Sequence, residues 1–90
     1  MDQLDFQDVR IEKAFVREEI NIWFKLNGLQ YYLKLEKNDQ GYSPFAIRQF
    51  TRTEYRNDTL SFLSEHIDEI WEKLKNHRNV RLRLLFGLER

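Results

Sequence analysis

The chain has no cysteine, and its 90 residues include only one proline and three glycines. Without cysteine there can be no disulfide, no thiolate metal site and no cysteine nucleophile, and the redox compartment is left undecided. So little proline and glycine leaves no linker or low-complexity tract, and no internal repeat is visible. Residues 1–90 are therefore expected to form a single domain. No apolar run approaches the ~20 residues that a membrane helix needs. The opening MDQLDFQDVR carries three aspartates and lacks the apolar core of a secretory signal. The expectation is a cytoplasmic protein with no membrane partner.

Net charge is also lacking. Fifteen basic and fifteen acidic residues cancel, which removes the global field that draws a protein to nucleic acid or anionic lipid. The distribution is uneven all the same. Glu65, Asp68, Glu69 and Glu72 form an acidic block without a Lys or Arg, while residues 77–90 hold four arginines against one glutamate. A neutral total is compatible with local patches of either sign.

Patterned apolar residues supply what the composition does not. In EINIWFKLNGLQYYLKLE, residues 19–36, Ile20, Ile22, Phe24 and Leu26 alternate with polar side chains, and Leu29, Tyr31, Leu33 and Leu35 do so again. Between them stands Asn27-Gly28, the pair best suited to a type I′ turn because both central residues need positive φ. A two-residue loop sets Leu26 opposite Leu29, Phe24 opposite Tyr31, Ile22 opposite Leu33 and Ile20 opposite Leu35. All eight then share one face, and a slip of one residue would expose them all. The other face presents Trp23 against Tyr32, with Lys25, Gln30, Asn21 and Lys34 around them.

Upstream, residues 9–16 read as a further strand, with Lys13 marking a bulge or an edge position. Downstream, Asn38 to Gly41 is a turn and residues 45–50 read as a fourth strand, in preference to a short helix started at Ser43-Pro44. Thr51 to Glu54 matches a capping box, with Phe50 and Tyr55 as its staple. Leu60, Leu63, Ile67, Ile70, Trp71 and Leu74 recur every three or four residues, which predicts a helix from about Asp58 to about His77. In the tail, Val80, Leu82, Leu84, Phe86 and Leu88 keep period two. That predicts a closing strand after a helix ended by a left-handed Asn79. The expected fold is α+β: an antiparallel sheet of four to five strands, order β-β-β-β-α-β, with one long amphipathic helix packed on one face.

Chemistry is sparse. His66 and His77 stand apart without a ligand set at metal spacing, so no metal site is expected. The sequence contains no Gly-rich phosphate loop, nucleophile elbow or zinc spacing, and no cofactor is implied. The helix acids lie at the spacing of a solvated face and lack the burial that would tune an acid-base pair. The reading is therefore not an enzyme. A sheet covered on one side leaves Trp23 and Tyr32 on the other, where Leu85 and either Ala14 or Val16 would join them. This pair either serves only to stabilise the hairpin or forms the centre of a binding surface. The leading expectation is a small module that binds a protein partner, or itself as a homodimer, through the open sheet face or an edge strand. The alternative is nucleic-acid binding, with bases stacked on the aromatic rings and Lys25, Lys34, Arg81 and Arg83 following the phosphates. Docking of the sheet in a DNA groove through Arg48, Arg52 and Arg56 is a further variant.

Overall fold

The computed structural model describes residues 5–15, 18–39, 41–50 and 58–86. Expectations for Val16, the 51–57 segment with its capping box, Arg52 and Arg56, and Leu88 lie outside these residues. Four strands, β1 (Gln7–Lys13), β2 (Glu19–Leu26), β3 (Leu29–Asn38) and β4 (Gly41–Gln49), form one antiparallel meander in chain order. Three short helices follow: α1 (Asp58–Glu65), α2 (Ile67–Lys75) and α3 (Arg78–Phe86). The architecture is α+β, with the helices packed on one face of the sheet.

The central hairpin has the register that its turn dictates. Leu26 pairs with Leu29, Phe24 with Tyr31, Ile22 with Leu33 and Ile20 with Leu35. Seven of these eight side chains are buried and Leu29 is half-buried against them. Asn27 and Gly28 have φ of 54° and 81°, the left-handed pair of a type I′ turn. Space is not the constraint at Gly28, because a Cβ there would meet nothing within 4 Å. Gly28→Ala is therefore expected to cost about 1–2 kcal/mol through backbone strain alone. Gly28→Asn should recover most of that, since Asn tolerates this region, as urea denaturation of the two variants would measure.

Both outer strands are irregular. The β1–β2 pairing shifts between Gln7 and Arg10, and Asp8 takes φ of 52° there. Lys13, where the alternation fails, is paired regularly with Ile20 and exposed. The strand also stops at Lys13, leaving Phe15 fully exposed beyond it. In β4 the shift lies opposite Lys34 and Leu35, beside Pro44, a residue that sheets accommodate only at edges and bulges. Ser43-Pro44 therefore belongs to the strand and starts no helix. The shift also separates Phe45 from Ile47: two residues apart, they would share a face in a regular strand, yet Ile47 is buried and Phe45 is 43% exposed.

The helical half corrects two expectations. The long helix from Asp58 to His77 is two helices, broken at His66, whose φ and ψ are −113° and 31°. The imidazole Nδ1 lies 2.9 Å from the Phe62 carbonyl oxygen, and the His66 backbone N–H is shared between the Phe62 and Leu63 carbonyls at 3.2 Å each. A side chain competing for a backbone carbonyl is a recognised cause of kinks. The apolar stripe survives the break, and Leu63, Ile70 and Leu74 are fully buried.

The second correction concerns the tail, since no strand follows the helices among the described residues. Residues 78–86 are helical, and Asn79 lies inside α3 and does not end the helix before it. His77 starts the new helix: its carbonyl accepts from Arg81 N–H at 2.8 Å, and its Nδ1 accepts from Asn79 N–H at 3.3 Å. Asn79 Nδ2 then donates to the Val9 carbonyl at 3.1 Å, tying α3 to β1. Leucine and arginine, which make up most of this stretch, rank among the better helix formers. Burial follows the helical period: Val80 is fully buried and Leu84 packs on the core, whereas Leu82 and Leu85 are 42% and 75% exposed.

Candidate functional site

The meander assembles one continuous row across its open face. Arg10 pairs with Trp23, Trp23 with Tyr32, and Tyr32 with Arg48, one residue from each strand. Directly paired residues of a sheet share a face, and this row lies opposite the buried one. The Trp23 and Tyr32 rings are 4.6 Å apart at 32°. Phe50 closes on Trp23 edge-on, with centroids 5.2 Å apart, and its N–H donates to the Gln30 carbonyl at 2.8 Å, which fixes it beside the row. The Arg10 guanidinium stands 5.3 Å from the Trp23 ring centre, within cation–π range. The adjoining row contains Lys34, whose ammonium lies 5.7 Å from the ring of Phe45.

Trp23 and Tyr32 are half-buried, while Phe45 and Phe50 are 43% and 64% exposed. No helix among the described residues covers this surface. The result is an aromatic patch on a hydrogen-bonded sheet, with carboxylates beside three of its cations. Arg10 Nε is 3.1 Å from Glu12, Lys25 is 3.5 Å from Asp8 and Lys34 is 3.8 Å from Glu19. Among the described residues, no ion pair engages Arg48.

Of the residues singled out from sequence, Trp23, Tyr32, Lys25 and Lys34 come together on this face. Arg81 and Arg83 do not. They were placed there by reading the tail as a strand, and as residues of α3 they belong to the helical side. Arg83 lines a hollow between α3 and β1 with Val9, Arg10 and Asn79. Leu85, also expected beside Trp23, stands on α3 as well. The residues that sequence reasoning left out of the aromatic site are Arg10, Phe45 and Phe50. Arg10 and Phe50 were hidden by the irregular outer strands, because only the observed registers reveal which side chains line up with Trp23 and Tyr32.

His66 places its Nδ1 2.9 Å from the Phe62 carbonyl oxygen, and His77 Nδ1 accepts from the Asn79 N–H at the start of α3. The described residues contain no group of three or more His, Cys, Asp or Glu that could hold a metal ion. Nor do they contain a helix long and apolar enough to cross a membrane. No protein-family model, no curated protein and no solved structure matches this chain.

Proposed function

We propose that this domain is a non-enzymatic protein-binding module acting through the open sheet face, with Trp23 at the centre of the contact. The observation that carries this reading is the four-strand row Arg10, Trp23, Tyr32 and Arg48, flanked by Phe45 and Phe50. Trp, Tyr and Arg are the side chains most enriched where binding energy concentrates in interfaces. Here they sit on a hydrogen-bonded sheet, so little ordering entropy is lost when a partner arrives.

Ion pairing favours a protein over a nucleic acid. Three of the four cations around the aromatic residues already have a carboxylate within 4 Å, so a phosphate backbone would have to compete for them. Affinity for nucleic acid comes largely from the counterions released by unpaired cations, and this face offers Arg48 as its cation without such a pair among the described residues.

A second copy of the chain is the partner to test first. Trp23→Ala should weaken sheet-face association by about 2 kcal/mol, or roughly thirtyfold, as read by light scattering across a concentration series. A titration of mixed single- and double-stranded oligonucleotides at low salt, followed by tryptophan fluorescence, tests the competing class. Salt-sensitive saturation lost in Arg48→Ala would replace the protein reading with the nucleic-acid one.

A further inference from the structure

Two stripes on the helical side of the molecule have the same spacing and opposite chemistry. On α3, Arg78, Arg81, Leu82 and Leu85 stand at i, i+3, i+4 and i+7, opposite the buried Val80 and the core-packed Leu84. Across α1 and α2, Glu65, Asp68, Glu69 and Glu72 stand at i, i+3, i+4 and i+7, and all four are exposed. Such spacing puts each set on one helical face.

Among the described residues, ion pairing reaches one member of these stripes, Glu72. Among the described residues, no carboxylate forms an ion pair with Arg78 or Arg81, and no cation forms one with Glu65, Asp68 or Glu69; Glu72 is taken by Lys75 at 2.8 Å. Each stripe also carries exposed apolar surface at one end. On α3 it is Leu82 and Leu85, in a hollow of about 490 Å³ lined also by Arg78, Arg81 and Leu84. On α1 it is Phe62, 39% exposed and stacked on His66 with centroids 4.4 Å apart.

We infer that α3 of one copy docks antiparallel on the α1–α2 face of a second copy. Phe62 enters the hollow beside Leu82 and Leu85, and Glu65 and Glu69 meet Arg81 and Arg78. The spans agree: seven residues separate Phe62 from Glu69 and Arg78 from Leu85, about 10 Å at the helical rise. Apolar contact supplies area while the opposite charges set orientation and exclude like-charged alignments. A concave, charge-matched groove suits an inserted aromatic side chain better than a flat lipid surface.

This contact uses a different face from the sheet patch, so the two fail independently. Because its two halves are different surfaces, they can be spoiled separately. Arg78→Glu with Arg81→Glu ruins only the basic half, and Glu65→Arg with Glu69→Arg ruins only the acidic half. Sedimentation velocity at low salt should show wild-type chains associating, with added salt weakening the contact, and each double variant associating at least about tenfold more weakly. An equimolar mixture of the two variants should then form a 1:1 dimer, since one supplies the intact acidic stripe and the other the intact basic one. Trp23→Ala should keep the helix-face contact.

Far-UV circular dichroism confirms that the exposed substitutions leave the fold intact. Wild type that stays monomeric at every concentration, double variants that associate like wild type, or a mixture that yields no dimer would each overturn the inference. So would a monomer that floats with anionic vesicles and loses that property in Arg78→Glu with Arg81→Glu, which would assign the stripe to lipid.

Discussion

Ile70→Ala is expected to lower the free energy of unfolding by 2–5 kcal/mol, whereas Ile67→Ala, one helical turn earlier, should cost about 1–2 kcal/mol. Ile70 is fully buried in the core cluster, and Ile67 is half-buried at its margin. The helical period runs on across His66, so Leu63, Ile70 and Leu74 face the core together while Ile67 lies toward the edge of that stripe. A chain of this size holds on the order of 5–13 kcal/mol in total, so the first substitution removes a large fraction of the stability. Urea denaturation with unchanged m values would measure both costs. Equal losses at the two positions would mean that α2 presents a different face to β4.

The hairpin was legible because two independent signals agree. Period-two alternation defines the faces of β2 and β3, and Asn27-Gly28 fixes the loop at two residues, so every pairing from Ile20–Leu35 to Leu26–Leu29 follows. The helix stripe was legible for a similar reason, since Leu63, Ile70 and Leu74 repeat with the helical period. The kink at His66 has no such pattern, because it depends on one side chain reaching one carbonyl.

The candidate site was readable as far as the hairpin reached. Trp23, Tyr32, Lys25 and Lys34 belong to β2 and β3, whose register is local. Arg10, Phe45, Phe50 and the alignment of Arg48 depend on β1 and β4, whose pairings shift at Gln7/Arg10 and at Lys34/Leu35. A bulge inverts the faces beyond it, so alternation carried through Phe45 and Ile47 assigns Phe45 to the wrong side. Arg81 and Arg83 were misplaced by a different error, the choice of period for a whole element.

That choice is open to a direct test. Val80→Asp should destabilise the fold by on the order of 4 kcal/mol or more, because it replaces a fully buried apolar side chain with a charge that has no partner there. Leu82→Asp should cost about 1 kcal/mol or less, since that side chain is 42% exposed on the outer stripe of α3. In a strand, Val80 and Leu82 would point to the same face and the two substitutions would do comparable damage. In α3 they point apart, with Val80 toward the sheet and Leu82 outward. The alternation of apolar residues in the tail arises because Arg78, Arg81, Leu82 and Leu85 form an outer stripe while Val80 and Leu84 form an inner one, and sampled every second residue the two read as one strand face. One contact that holds α3 against the sheet lies 70 residues away in the chain, where the Val9 carbonyl accepts from the Asn79 side-chain amide. Asn79→Ala, which removes that hydrogen bond, should therefore lower stability by about 1 kcal/mol without affecting the Val80–Leu82 contrast. Equal melting temperatures for Val80→Asp and Leu82→Asp would return residues 78–86 to a strand and place Arg81 and Arg83 back beside Trp23.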